Sequence, residues 1–590
     1  MNMKQYRLFL IILIFVSFII AFIPNIIPAK KYENIPVTEK PDLIQEKLNS
    51  MTLREKIAQM IITSSEGFSY DENSKEYKRL KNLITKEKIG GVIFLKGNAV
   101  EEAKLINRLQ KLSQTPLLIS QDFERGTGMR LDDGSKFPNN MALGATRNSD
   151  LAYKMGLILA KECRAIGVGQ NYAPVMDVNN NPDNPIINVR SFGEDPLLVS
   201  QMGMAVIKGL QEGGIIATAK HFPGHGDTDI DSHSDLPVLN FDRDRLEKLE
   251  LIPFKNSISA GVKSVMIAHI SFPALEKTPF VPASLSENIV TGLLTDELGF
   301  NGLKITDALN MEGVTKHFNV SQVAVMCVKA GIDLILMPLD ETKSINAIEK
   351  AVNSGEISKE KINNSVKRIL EAKKWLGLDE NKFVNENEVS SIVNSDESKK
   401  LSQKIADESI TLVENQTGQI PLGRVMTRPP KISLICLNNI DNSSSPDIFS
   451  NIFLEKLKTV TSKFDSFLFN GDISGSDAAE VFEKTNDSKI IIIPVFSKVK
   501  IKTGTVGIPK SQIMLINNLI KNDKCVIVIS FGNPYIIQGF ENVDSYICAY
   551  GDIESSLNAV TKAMFGEIPI KGKLPVTISK QFKFGDGIIN

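Results

Sequence analysis

The sequence predicts a TIM-like (β/α)8 barrel followed by a second α/β domain on an open sheet, with an N-terminal membrane anchor or signal segment ahead of both. Three observations carry that expectation. At 590 residues the chain exceeds the roughly 250–300 at which a single core stops growing. From Asp42 to Leu378, short runs rich in Val and Ile alternate with longer amphipathic stretches, as βα units do. After a polar break the alternation resumes on a smaller scale.

At the N-terminus, Lys4 and Arg7 precede an almost unbroken apolar run from Leu8 to Ile23. A bilayer core takes about 20 apolar residues and a secretory h-region about 7–15. The run lies near the spanning end of that gap and lacks an A-x-A cleavage site. Residues 1–29 therefore read as an uncleaved signal anchor, with a cleaved signal peptide as the alternative. The cations would stay inside, which predicts an exported globular part held at the membrane. Residues 30–41 read as a linker.

Within 42–378 the strand candidates are Gln59–Thr63, Gly91–Leu95, Leu117–Asp122, Gly167–Val178, Ile215–His221, Ser264–Ile270, Leu303–Leu309 and Asp333–Pro338. Most are continuously apolar, as strands buried on both faces are. Val100–Leu112, Leu151–Ala165, Pro196–Glu212 and Ser321–Ala330 are helical candidates between them. A doubly wound open sheet is the competing topology. Residues 379–400 turn polar and read as a linker or strap. In 401–590, Lys431–Leu437, Lys489–Phe496, Cys525–Phe531 and Ser545–Tyr550 read as buried strands of an open, mostly parallel sheet. Helical stretches such as Ser511–Lys521 and Ser555–Phe565 lie between them.

Composition excludes several functions. A net charge of −1 gives no basic surplus for nucleic acid. The five cysteines are scattered without CxxC spacing and read as apolar core residues. The second domain has no histidine and no Gly-rich phosphate loop, and no cofactor is expected.

All five histidines fall between His221 and His317, three of them in Lys220-His221-Phe222-Pro223-Gly224-His225-Gly226-Asp227-Thr228-Asp229-Ile230-Asp231-Ser232-His233. Histidine gives and takes protons near neutrality, and the glycines and proline make this run a shaped loop. Two metal readings fail. An EF-hand needs Gly and Glu where Ser232 and Val238 stand, and Pro223 and Gly224 break the helix that a zinc-binding pair at His221 and His225 requires. No metal is expected. His225 and Asp227 can equally be turn caps. The spacing of Asp231 and His233 lets a carboxylate orient an imidazole. If the barrel reading holds, polar residues collect at the C-terminal strand ends, where such barrels place their chemistry: Asp122, Glu124, Asp177, Lys220, His221, His269 and Asp307. A lone Asp307 at a strand end could simply bond the next loop; its polar neighbours favour a functional role.

The run Lys220–His233, the strand end Thr306-Asp307-Ala308-Leu309-Asn310-Met311, the turn Gln121–Gly126 with Arg130, and Asn188–Gly193 resemble family-3 glycoside hydrolases. More narrowly they resemble the β-N-acetylglucosaminidase branch, in the two-domain form of Gram-positive bacteria. Phe531–Tyr535 and Gly572–Pro575 extend the resemblance into the second domain. The resemblance implies Asp307 as nucleophile and His233, held by Asp231, as general acid/base. It implies that Asp122, Arg130, Arg190, Lys220, His221 and His225 hold the terminal sugar. One departure stands out: the family's usual Asp-x-Glu-Gly-Gly-Arg is here Asp122-Phe123-Glu124-Arg125-Gly126-Thr127, with Arg130 in place of the displaced arginine. The implied activity is a retaining, exo-acting β-N-acetylhexosaminidase that releases terminal GlcNAc from peptidoglycan-derived fragments. A β-glucosidase or xylosidase, a GlcNAc phosphorylase and an inactive cell-wall carbohydrate-binding protein are the alternatives. Ala308 rather than Trp after Asp307 argues against the first.

Overall fold

The computed structural model describes residues 43–230, 235–422, 430–439, 443–497, 507–522, 524–540 and 542–589. The N-terminal apolar run, residues 30–41, Asp231 and His233 lie outside them. Among the described residues no helix is long and apolar enough to cross a membrane.

Eight parallel strands succeed one another: β1 (Ile61–Gly67), β2 (Gly91–Gly97), β3 (Leu118–Gln121), β4 (Gln170–Asn171), β5 (Ile216–Phe222), β6 (Ser264–Ile267), β7 (Leu303–Thr306) and β8 (Ile335–Leu336). They lie in the order β7-β6-β5-β4-β3-β2-β1-β8. A bridge between Ile305 and Leu334 then brings β8 round to β7, so the sheet all but closes into the expected barrel. The open-sheet alternative is thereby excluded. Helices such as Ser149–Ile166 and Pro196–Glu212 cover the outside. The first stops where Gly167 takes a left-handed φ of 101°. The second starts where Asp195 accepts the Leu198 amide ahead of Pro196, a position that suits proline.

β4 is far shorter than the Gly167–Val178 run suggested. Pro174 has no amide to give, and beyond it the chain follows β5 through one bridge, Val175 to Lys220. β5 is buried along its whole length although it carries Lys220 and His221. Charged and polar groups so placed must find partners inside the protein.

The second sheet comprises β9 (Thr411–Asn415), β10 (Ile432–Asn438), β11 (Phe464–Asn470), β12 (Ile490–Ser497), β13 (Cys525–Gly532) and β14 (Ser545–Cys548), ordered β11-β10-β12-β13-β14-β9. All neighbours are parallel except the β14–β9 pair. Two strands escaped the sequence. β11 is an edge strand whose residues alternate between half-buried and exposed, so it shows no continuous apolar run. β9 is a short strand directly behind the helix Asp396–Ser409, which itself begins inside the polar 379–400 segment. That segment straps the barrel: Asn107 bonds the Val384 backbone at both N–H and C=O, and Lys382 donates to the Ser113 carbonyl. All five thiols are free and four are buried, in keeping with a core role.

A short helix of the barrel domain enters the core of the second sheet. Met141, Ala142 and Ala145, from a short helix after β3, pack among Ile435, Val495 and Val528 of the second sheet. Each fully buried aliphatic side chain stabilises by about 1.5–3 kcal/mol relative to exposure. Glu194, in the loop after β4, accepts hydrogen bonds from the Thr577 amide and hydroxyl, both at 2.7 Å. The second domain therefore braces the loops after β3 and β4.

Candidate active site

Those braced loops carry charge inward. Asp122 and Glu124 follow β3, and a tight turn at Thr127–Met129 brings Arg130 back over them. Buried Glu162 ties the turn down by accepting from Thr127 Oγ1 at 2.6 Å and from the Ser135 hydroxyl. Arg190 comes from the loop after β4 and Lys220 from β5. The five form one network. Lys220 Nζ lies 2.9 Å from Asp122 Oδ1 and 2.8 Å from Glu124 Oε1. Arg130 Nη2 donates to Asp122 Oδ2 at 2.9 Å. Arg190 grips Glu124 with two parallel bonds of 3.0 and 2.7 Å, the fork geometry of strong guanidinium–carboxylate pairs.

Burial opposes ionisation of both carboxyls, but Arg190 and Lys220 hold Glu124 well below its usual range, and Lys220 and Arg130 lower Asp122. Burial works against the Lys220 ammonium too; Asp122 and Glu124 outweigh it and raise its pKa. The five groups thus keep one another charged in a partly buried network.

Beside it, Asp177 organises the histidine run. Its Oδ2 lies 2.7 Å from His221 Nδ1, and its Oδ1 accepts the His221 and His225 amides at 3.1 and 2.8 Å. The His225 ring packs edge-on to His221 with centroids 5.7 Å apart, and the residue is 1% exposed. His225 is thus packed against His221 within the same buried cluster. Burial and His221 push its pKa down to about 4 despite Asp177, so it is neutral near pH 7. A Cβ at Gly226 would fall 1.7 Å from the Val178 carbonyl oxygen, and only glycine permits that approach. Asp227 does more than cap a turn: it pairs with Arg245, which also reaches Glu250 and lies over the Phe241 ring.

Asp307 follows β7. Its amide donates to the Ile267 carbonyl at 3.0 Å, and its Oδ1 accepts the Ala308 amide at 2.7 Å. Burial opposes its charge, but His221, His269, the Ala308 amide and Lys220 bring its pKa down to about 2. It is an anion across the physiological range.

The structure thus gathers Asp122, Arg130, Arg190, Lys220, His221, His225 and Asp307 at the C-terminal end of the barrel. Asp231 and His233 lie outside the described residues. Glu124 and Asp177 belong to the cluster although the sequence marked them only as polar strand ends. Their partners stand 66 and 44 positions away, a distance that spacing cannot reveal. Arg245 carried no signal in the sequence. Among the described residues no three His, Cys, Asp or Glu side chains are grouped so as to hold a metal ion.

Residues 52–372 match the glycosyl hydrolase family 3 N terminal domain, and residues 338–585 match its C-terminal domain. The chain is 35% identical over 375 residues to beta-hexosaminidase A of Pseudoalteromonas piscicida, covering 58% of this chain and 62% of that protein. It superimposes on a family 3 β-N-acetylglucosaminidase from Paenibacillus sp. str. FPU-7 with a TM-score of 0.76 and 32% identity, over 90% of this chain and 99% of that one. A β-glucoside phosphorylase, BglX, aligns with a TM-score of 0.81 and 28% identity over 91% and 96% of the two chains.

Proposed function

The chain belongs to glycosyl hydrolase family 3, and on that footing we propose that it is a retaining, exo-acting β-N-acetylhexosaminidase acting on terminal GlcNAc. The observation that carries this reading is the ionised Asp307 set beside the Asp122–Glu124–Lys220–Arg130–Arg190 cluster. A carboxylate with a pKa near 2 is ready to attack C1. Asp122, Arg130, Arg190, Lys220 and His221 present acceptors and donors for the hydroxyls of one terminal sugar, which favours exo action.

In the first step Asp307 bonds to C1 on the face opposite the leaving oxygen. His233, oriented by Asp231, gives that oxygen a proton. In the second step His233 takes a proton from water, which displaces Asp307 from the same carbon. Two inversions return the original configuration. An imidazole held by a carboxylate can cycle between acid and base at neutral pH, as in catalytic triads.

The apolar segment Leu8–Ile23 supports an extracytoplasmic enzyme held at the membrane. There the GlcNAc–MurNAc pieces of peptidoglycan are the natural substrates. The likeness to a phosphorylase favours a second reading, in which phosphate replaces water. One assay separates these. Release of p-nitrophenol is measured from the N-acetylglucosaminide and the glucoside, with and without phosphate, followed by digestion of purified GlcNAc–MurNAc. Preference for the N-acetylglucosaminide, indifference to phosphate and release of GlcNAc support the proposal. Preference for the glucoside, or a sugar 1-phosphate product, would sink it.

A further inference from the structure

His269 stands just beyond β6, 1% exposed, and the reaction outlined above gives it no task. Its ring bridges two groups. Nδ1 lies 2.7 Å from Ser284 Oγ, and Nε2 lies 3.1 Å from the Ala308 carbonyl oxygen. A carbonyl oxygen can only accept, so Nε2 carries a hydrogen; a hydroxyl can give or take, so Ser284 suits either state of Nδ1.

The residue gripped in this way is the one that follows Asp307. Ala308 donates its amide to Asp307 Oδ1 at 2.7 Å and offers its carbonyl to His269. The Met311 amide closes on the same carbonyl at 3.2 Å, while the Leu309 amide is tied to Leu336 at 3.0 Å. The turn after β7 is therefore held by its own backbone, by β8 and, from the β6 side, by one imidazole. Oδ1 is engaged by the amide, and among the described residues Oδ2 is the oxygen left to react.

We propose that His269 is a positioning residue for Asp307: by holding the Ala308 carbonyl it fixes the turn whose amide holds Oδ1, and so keeps Oδ2 aligned for attack on the sugar. This rests on the reading of Asp307 as nucleophile. Among the described residues, the groups that bear electrostatically on Asp307 include Lys220, His221 and His225 from β5 and the loop after it, with His269 just beyond β6. Loss of His269 thus loosens the carboxylate and removes one of the groups favouring its charge.

The test compares His269→Phe and His269→Gln with the unaltered enzyme, as kcat/KM against pH on p-nitrophenyl N-acetylglucosaminide. Phe fills the space but cannot hydrogen-bond; Gln can still donate to the Ala308 carbonyl. His269→Phe should lose about 10²-fold in kcat/KM, the size of effect that misplacing a reacting group has. Its acid limb should move up by about one pH unit. His269→Gln should recover most of the rate. Should His269→Phe fail to fold by thermal melting, Ser284→Ala takes its place. It removes only the Nδ1 partner, and the expected loss is about three- to tenfold with the limb moving the same way. An unchanged rate and acid limb in whichever of the two is measured overturns the proposal and leaves the role of Asp307 untouched. Asp307→Asn is the control; full activity there overturns the functional reading and this proposal with it.

Discussion

Replacing Glu124 by Gln keeps the shape of the side chain and removes one charge from the centre of the cluster. Glu124 Oε1 lies 2.8 Å from Lys220 Nζ and 2.7 Å from Arg190 Nη2, and its side chain is 3% exposed. At an effective dielectric of about 20, a unit pair at that distance attracts by about 6 kcal/mol before desolvation is subtracted. Removing one member of a buried pair typically costs about 3–5 kcal/mol, because the partner is stranded. Lys220 retains Asp122 at 2.9 Å, so the lower end applies, about 3 kcal/mol. The sign with pH also follows. Burial would raise the Glu124 carboxyl, but Arg190 and Lys220 hold it well below the ordinary 4.5. Its stabilising contribution is complete above that ordinary value and disappears as pH falls through the lower folded one. Urea unfolding of both proteins, followed by far-ultraviolet circular dichroism at pH 7 and pH 3, measures the gap. A difference below about 1 kcal/mol at pH 7, or one that does not shrink in acid, would show that Glu124 does not stabilise the fold through these ion pairs.

Three more perturbations follow from the geometry. His225 titrates near 4 in the folded chain against about 6.5 unfolded, so the unfolded state gains a proton first as pH falls. Stability should drop between pH 6.5 and 4, and His225→Asn should flatten that slope in urea titrations; an equal slope in both proteins contradicts its burial. Lys373 is buried beneath the barrel, donating to Gln59 Oε1 at 2.7 Å and the Gly90 carbonyl at 2.9 Å, and burial with nearby Lys47 lowers its pKa to about 7. Stability should therefore rise from pH 7 toward 10 as the unfolded chain loses the proton the folded one has already shed; Lys373→Met should remove the rise. Glu194→Ala strands the Thr577 amide and hydroxyl, which should cost about 1–3 kcal/mol. It should also lower kcat/KM, since Arg190 shares that loop. A variant with unchanged melting temperature and rate would show that the second domain does not brace it.

Much of the fold was legible because buried parallel strands leave continuous apolar runs, and β5, β12 and β13 are buried almost end to end. Where one face is exposed, as in β11, that signal vanishes. Where apolar sequence continues without regular pairing, as beyond Asn171, the signal overreaches. The site divides the same way. Residues at strand ends could be assigned to one face of the barrel by counting. Which of them touch could not be read: Glu124 with Arg190, Asp177 with His221 and Asp227 with Arg245 are joined by closure of the sheet and by loop geometry. His225 shows the converse, a residue of the most distinctive motif that the fold turns inward.

Retention of configuration through Asp307 requires a covalent bond between its carboxylate and the anomeric carbon. Incubation with a slow fluorinated N-acetylglucosaminyl donor, acid quenching and peptide mass spectrometry locate that bond directly. One added sugar is expected, on the peptide that contains Thr306-Asp307-Ala308. An adduct on any other side chain, or none while turnover continues through an inverted product, would rule out Asp307 as the nucleophile.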